Sequence, residues 1–211
     1  MNTENFVVMG LDGGKTNFGY SVACISFIRK KLKVELLETG IVPCPINDIK
    51  VASAQRKVFI KWFRAKVKEF GVTDIIAERF MTRMGSSMGT TIECIAFMYG
   101  AIDQVFGEAT FIPAAVWKNQ VNKVIDLDAW YKNPKYTKTP HELDAVLQAI
   151  YLGHQLFGLK PDYATIKQID ITKQIERVST YVKQTKRKGS NNGGVSKTAR
   201  AKNRRNKKPV Q

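Results

Sequence analysis

Two short apolar runs that each end in an acidic residue constrain the fold of this chain more than any other feature of its sequence. The first run is FVVMGLD, which ends at Asp12, and the second is VTDIIAE, which ends at Glu78. Short runs rich in apolar and β-branched residues are typical of strands buried inside a sheet. Functional residues of open α/β sheets collect at the carboxyl ends of such strands. We therefore expect Asp12 and Glu78 to belong to a functional site.

The segments around these runs predict an α/β protein. Alternating apolar residues indicate two further strands after the first, which complete an antiparallel meander, and the later strands alternate with amphipathic helices. The predicted strands are residues 6–12, 18–28, 33–42, 72–78 and 109–113, and the predicted helices are residues 51–70, 91–107, 114–124 and 140–157. A polar loop is expected from residue 125 to 138. This order is typical of a mixed five-stranded sheet flanked by helices.

The last predicted helix has a well-marked beginning. Thr139 is a favourable N-cap, Pro140 occupies the first helical position, and Glu142 completes a capping box. His141 and Asp144 are three residues apart in this helix, so they lie on the same face. The helix therefore presents an imidazole and a carboxylate together.

These residues have the chemistry of a metal site. The carboxylates of Asp12, Glu78 and Asp144 are hard oxygen ligands, and with His141 they suit two divalent ions that catalyse phosphoryl transfer. Taken singly, Asp12 could be a turn residue, Glu78 an acid at a sheet edge, and Asp144 a surface residue of a helix. Their joint placement favours the metal site.

Three segments that contain these acids resemble the motifs of a known family. GLDGGKTNFGYSVA, IIAERF and HELDAVLQAI, in this order and spacing, resemble the acidic motifs of the RuvC-like Holliday-junction resolvases. The resemblance covers roughly residues 5–157 and implies a ribonuclease H-like fold. It also implies that Asp12, Glu78, His141 and Asp144 bind two Mg²⁺ ions, with Mn²⁺ also accepted. The family has Asp or His at the position of His141, so a role in binding metal and a role in proton transfer both stay open.

The resemblance implies an endonuclease of DNA recombination and repair that resolves four-way junctions by paired symmetric nicks. Two symmetric nicks need two sites, so we expect a homodimer with twofold symmetry.

Lys118, which follows the fifth strand, is the first candidate for the family's catalytic basic residue, and Lys123 and Lys132 are the alternatives. For each of these lysines, the sequence is equally compatible with a solvated surface position. Phe80 and Met81 are alternative wedge residues for the junction. The expected DNA contacts are Lys15, Arg79, Phe80, Met81, Arg83, Lys118, Lys132, Lys135, Lys186, Arg187 and Lys188.

Positive charge is concentrated at the end of the chain. The 34 Lys and Arg residues against 18 Asp and Glu residues give a net charge of +16, and residues 177–211 hold 12 of the basic residues and no acid. From Lys183 onward large apolar side chains are almost absent, so this segment cannot bury enough surface to offset its ordering entropy. We expect a nuclease domain at residues 1–182 and a disordered basic tail at 183–211. A flexible polycation favours nucleic acid as its partner, although a solubility or localisation role is the alternative.

Several other classes of protein are disfavoured. No apolar run approaches the roughly 20 residues of a membrane helix, and the N-terminal sequence lacks the pattern of a secretory signal. The three cysteines are far apart and form no CxxC pair, which fits a reducing compartment. We therefore expect no membrane partner and a cytoplasmic location, in the nucleoid or in a phage-infected host.

Three alternative functions stay open at this point. LDGGKTN is similar to the phosphate-binding turn of actin-like ATPases, but 211 residues with a tail are too few for their two duplicated domains. A non-catalytic nucleic-acid-binding module is disfavoured by acids at all three motif positions. A ribonuclease H that cleaves RNA–DNA hybrids, or an RNA-processing nuclease, is the main alternative. The pairing of His141 with Asp144 and the wedge candidates favour branched DNA.

Overall fold

The computed structural model describes residues 5–28, 31–79, 89–123, 125–132 and 139–158. Its strands are β1 (Asn5–Asp12), β2 (Gly19–Ile28), β3 (Lys31–Ile41), β4 (Asp74–Arg79) and β5 (Ala109–Pro113). Its helices are α1 (Ala52–Phe70), α2 (Gly89–Phe106), α3 (Ala114–Val121), α4 (Leu127–Lys132) and α5 (Pro140–Leu156), and a short 3₁₀ turn (Ile49–Val51) precedes α1. The described helices include none that is both long and apolar enough to cross a bilayer.

The five strands form one mixed sheet, as the sequence predicts. Their order is β3-β2-β1-β4-β5, with β1, β2 and β3 paired antiparallel and β4 parallel to both β1 and β5. Asp12 pairs with Gly19, and Gly19 pairs with Ile41 on the other side of β2. Because β1, β3, β4 and β5 run in the same direction, their carboxyl ends lie at one edge of the sheet. We call this edge the carboxyl edge.

Apolar side chains cover both faces of the sheet. On one face α1 and α2 pack against a core that includes Met9, Phe59 and Phe63; on the other face α3, α4 and α5 pack against a core that includes Val8 and Trp117. Successive side chains of a strand point to opposite faces, so the neighbours Val8 and Met9 enter different cores. This double burial explains why β1 is a continuous apolar run.

Two glycines allow α5 to lie close to the sheet. A Cβ atom at Gly10 would lie 2.0 Å from the carbonyl oxygen of Ala145, and one at Gly19 would lie 2.2 Å from the carbonyl oxygen of His141. Neither distance is compatible with a side chain, so these positions of β1 and β2 need glycine. The contact brings the first turns of α5 to the carboxyl edge.

The structure confirms the predicted start of α5 and corrects one predicted loop. The backbone N–H of Glu142 donates to Thr139 Oγ1 at 3.3 Å, and the backbone N–H of Thr139 donates to Glu142 Oε2 at 2.9 Å, which completes the capping box. The loop predicted at 125–138 was wrong in part, because Leu127–Lys132 is helical. Asp126 accepts a hydrogen bond from the backbone N–H of Ala129, and burial of Trp130 holds this short helix against the core.

Candidate metal centre

Three carboxylates converge at the carboxyl edge of the sheet. Asp12 is the last residue of β1, Glu78 is the second-last residue of β4, and Asp144 is in the second turn of α5. The parallel register pairs Leu11 of β1 with Ala77 of β4. The next residue in each strand is an acid, so Asp12 and Glu78 lie side by side. One oxygen of each acid lies within 4.8 Å of the others. The sequence prediction that these three acids meet is confirmed.

Asp12 is buried and contacts two side chains of α5. It is 5% exposed; its Oδ2 lies 2.5 Å from His141 Nδ1, and its Oδ1 lies 3.4 Å from Gln148 Nε2. The hydrogen bond to Asp12 raises the pKa of His141, since the carboxylate favours the charged imidazolium. His141 thus contacts one of the acids, whereas its predicted role as a metal ligand stays a prediction.

Glu78 is held by the indole of a buried tryptophan. Trp117 is 0% exposed and its Nε1 donates a hydrogen bond to Glu78 Oε2 at 3.2 Å. Burial, and then the negative charge of Asp12, raise the pKa of Glu78 to about 7. The Tyr99 hydroxyl donates to the backbone carbonyl of Glu78, which ties the end of β4 to α2.

Asp144 accepts hydrogen bonds from two further elements. Lys118 of α3 lies 3.0 Å from Asp144 Oδ2, and the hydroxyl of Tyr131 in α4 donates to Oδ1. The Lys118 ammonium also lies 5.0 Å from the centre of the Trp117 ring, which places a cation over an aromatic face. Burial is the largest influence on the pKa of Asp144 and raises it, although Tyr131 and Lys118 act in the opposite direction.

The residues present fit a divalent cation. Their oxygen donors are carboxylates, which Mg²⁺ and Mn²⁺ prefer. Within the described ranges, the cations in contact with the three acids are Lys118 and, when protonated, His141. The raised pKa values of Glu78 and Asp144 reflect burial of negative charge without full compensation. A divalent ion at this position would supply that compensation.

The predicted DNA contacts fall into two groups. Lys118 contacts Asp144 in the candidate metal centre, Lys15 is half-buried in the turn after β1, and Arg79 and Lys132 are exposed at the ends of β4 and α4. The other predicted contacts lie outside the described residues: Phe80, Met81, Arg83, Lys135, Lys186, Arg187 and Lys188. The roles of both groups in DNA binding stay predictions.

Three residues of the centre were missed by sequence reasoning. Gln148 follows Asp144 by four positions in α5, so helical spacing alone places it on the same face. Trp117 adjoins the predicted Lys118, but nothing in the sequence indicates which acid its indole reaches. Tyr131 was missed because its helix was predicted as a loop.

Comparison with known proteins shows similarity at the level of the fold. No protein-family model matches the sequence, and no curated protein matches it. RuvC of Thermus thermophilus aligns with a TM-score of 0.55 at 14% identity, over 72% of this chain and 97% of RuvC. The same protein in complex with a Holliday junction substrate aligns with a TM-score of 0.54 at 14% identity, over 72% and 97% of the two chains. The yeast mitochondrial Holliday junction resolvase Ydc2 aligns with a TM-score of 0.43 at 14% identity, over 85% and 84%.

The order of the strands and the alignment with RuvC agree. The sheet β3-β2-β1-β4-β5, with its antiparallel meander and two parallel strands, is the arrangement that the resemblance of the motifs implies. The chain therefore has the RuvC-like, ribonuclease H-like fold predicted from its sequence, and this fold brings Asp12, Glu78 and Asp144 together.

Proposed function

We propose that this chain is a metal-dependent endonuclease that resolves four-way DNA junctions by paired symmetric nicks. The observation that carries the proposal is the cluster of three carboxylates, within 4.8 Å of one another, on a RuvC-like fold. One matching RuvC structure is a complex with a Holliday junction substrate, which supports branched DNA as the substrate class. The basic C-terminal segment supports a nucleic-acid partner.

In this proposal Asp12, Glu78 and Asp144 would hold two Mg²⁺ ions, and His141 is the candidate for a fourth ligand. Bound Mg²⁺ would activate water and stabilise the leaving 3′ oxygen, so that each nick carries a 5′-phosphate.

His141 alternatively carries a proton on Nδ1, where Asp12 stabilises it. The Lys118 side chain is 38% exposed while it contacts Asp144, and Lys118 is our candidate for a contact with a DNA phosphate at this site. Paired nicks in a junction with twofold pseudosymmetry require a second copy of the site, which a homodimer supplies.

The substrate class is tested by comparing the cleavage of four kinds of nucleic acid. Full-length protein with Mg²⁺ is incubated with labelled four-way junctions, Y-shaped DNA, linear duplex and RNA–DNA hybrid. We expect symmetric nicks in the four-way junction and slower cleavage of the others. Preferential cleavage of the hybrid would assign the chain to the ribonuclease alternative. Binding of all four without cleavage would assign it to the non-catalytic module.

The metal centre is tested by removing one ligand at a time. Asp12→Asn, Glu78→Gln and Asp144→Asn each replace an anionic oxygen ligand by an amide. We expect each to slow single-turnover cleavage of a four-way junction by more than the roughly 10- to 100-fold that loss of an outer hydrogen-bond partner costs. Junction affinity, measured in EDTA, should be kept or increased because one negative charge is lost.

Glu142→Gln is the matched control for these variants. Glu142 is in the first turn of α5, but its carboxylate accepts from the backbone N–H of Thr139, and a glutamine oxygen can accept the same bond. We expect this variant to cleave at the wild-type rate. Wild-type cleavage by Asp12→Asn or Asp144→Asn would contradict the metal assignment.

A further inference from the structure

The outer face of α1 carries a row of basic side chains, which we call the α1 basic stripe. Its members are Lys57, Lys61, Arg64 and Lys68, and all four are exposed. Successive residues of an α-helix are rotated by about 100°, so these four positions fall within about 60° of one another and extend over about 16 Å of the axis. The opposite side of α1 buries Phe59 and Phe63 in the core. The stripe is therefore one continuous positive surface.

The stripe has no compensating partner in the part of the chain that the structure describes. None of its four side chains forms an ion pair or a side-chain hydrogen bond there. The neighbouring Lys66, by contrast, lies 2.8 Å from Glu38 and 3.2 Å from Glu69, the one acid in α1. Like charges four positions apart, as in the pairs that start at Lys57 and Arg64, destabilise a helix. The stripe is thus unfavourable for the isolated fold and favours an anionic partner.

The position of α1 relates the stripe to the metal centre. β3 ends at Ile41, which pairs with Gly19 of β2, and Gly19 pairs on its other side with Asp12, so the chain leaves β3 for α1 at the carboxyl edge. After α1 the N–H of Thr73 bonds to the carbonyl oxygen of Val7, near the other end of β1. The stripe therefore extends along the body of the molecule away from the edge that holds the acids.

We propose that the α1 basic stripe binds the phosphate backbone of a duplex DNA arm, on the face of the sheet opposite α5. Each strand of a duplex carries a phosphate every 3.4 Å or so, so about 16 Å of duplex presents about five phosphates per strand to four cations. The exposed uncharged neighbours of the stripe are Ser53, Ala54, Val58 and Ala65, and Val58 is the one with a branched apolar side chain. A helix that inserts into a lipid surface carries Trp, Phe or Leu opposite its polar face, and α1 exposes none of these residues. The proposal rests on the proposed function only for the identity of the anion as branched DNA.

The test measures the salt dependence of DNA binding by full-length variants. Lys61→Gln, Arg64→Gln and a variant with all four positions changed to Gln are compared with Lys33→Gln, a control on the exposed side of edge strand β3. Fluorescence anisotropy in EDTA gives the affinity for a long-armed four-way junction over a series of KCl concentrations. We expect each single stripe variant to reduce the slope of log K against log salt by about 1, and the fourfold variant by about 3 to 4. Lys33→Gln should keep the wild-type slope.

Two outcomes would overturn the proposal. One is a fourfold variant that keeps the wild-type slope while its circular dichroism shows that it is folded. The other is a fourfold variant that loses binding to vesicles of phosphatidylserine but keeps its DNA affinity, which would assign the stripe to a membrane surface. The proposed function fails separately: wild-type protein that cleaves none of the substrates refutes it, whereas the slope measurement needs no cleavage.

Discussion

At the scale of single residues, each acid of the candidate centre is oriented by a neutral donor that is not itself in the metal cluster. Trp117 donates to Glu78, Gln148 to Asp12, and Tyr131 to Asp144. Outer hydrogen bonds of this kind fix which oxygen of a carboxylate faces a metal, and their loss weakens metal binding. The indole of Trp117 also packs in the core, and this packing restricts the position from which Nε1 donates.

Trp117→Phe separates the hydrogen bond from the packing. Phenylalanine keeps an aromatic ring under the Lys118 ammonium but lacks the Nε1–H that binds Glu78. We expect the Mg²⁺ concentration for half-maximal cleavage to rise by about 10- to 100-fold, with most of the rate recovered at saturating Mg²⁺. The measurement is the single-turnover rate against Mg²⁺ concentration.

Trp62→Phe provides the matched control, because Trp62 packs on the opposite face of the sheet and contacts Tyr20 and Phe59. It should leave the Mg²⁺ dependence unchanged. If Trp117→Phe lowers the rate equally at all Mg²⁺ concentrations, Trp117 supports the fold and does not position Glu78.

The residues that sequence reasoning found and those that it missed differ in a physical way. Asp12 and Glu78 end apolar runs, and Asp144 follows a capping box, so each acid has a local pattern that fixes its place in an element. The hydrogen bond from Trp117 to Glu78 joins residues 39 positions apart and depends on how α3 packs under the sheet. No local sequence pattern predicts such a contact.

At the scale of elements, the centre depends on how closely α5 approaches β1 and β2. A methyl group at Gly10 would overlap the carbonyl oxygen of Ala145, one residue after Asp144. We expect Gly10→Ala to displace α5 and to lower the free energy of unfolding by about 2 kcal/mol or more, since the obstacle is backbone and not a flexible side chain. The rate of cleavage should also decrease, because displacement of α5 moves Asp144 away from Asp12.

Gly100→Ala is the control for this change, measured by the same urea unfolding in EDTA. A Cβ at Gly100, on the exposed side of α2, would meet no atom within 4 Å. Alanine is the better helix former, so we expect this variant to gain up to about 1 kcal/mol. Equal stabilities of the two variants would contradict the role assigned to Gly10.

The elements themselves were largely predictable. The meander, the parallel strands and the capped α5 follow from periodicity and capping, which are local properties. The short helix α4 was missed because its stability comes from tertiary burial of Trp130 and from the Asp126 cap, and six residues are too few for a clear helical period.

At the scale of the whole molecule, charge and burial set the dependence of stability on pH. The two histidines of the chain, both in α5, have pKa values shifted in opposite directions. His154 is 8% exposed, its Nε2 has no hydrogen-bond partner among the described residues, and burial lowers its pKa to about 4. The hydrogen bond to Asp12 raises the pKa of His141. One histidine therefore opposes folding in acid and the other supports it.

The sign of each contribution follows from linkage between protonation and folding. An unfolded histidine has a pKa near 6.5, so below that pH the unfolded chain takes up a proton that folded His154 resists until pH falls to about 4. His154 therefore lowers stability progressively across this window, by as much as about 3 kcal/mol in total. The contribution of His141 is fully present below the unfolded pKa and is lost as pH rises through its raised folded pKa.

Urea unfolding of His154→Leu and His141→Gln in EDTA, between pH 4 and pH 8 or so, separates these effects from those of Glu78 and Asp144. Both acids have raised pKa values and add stability as pH falls, so the wild-type curve alone mixes opposing contributions. Subtracting the wild-type free energy of unfolding at each pH removes the contributions of Glu78 and Asp144, which the variants share with the wild type. We expect His154→Leu to gain stability relative to wild type as pH falls below about 6.5, and His141→Gln to lose it. A His154→Leu curve parallel to the wild type would show that the imidazole accepts a proton in the folded core as readily as in water.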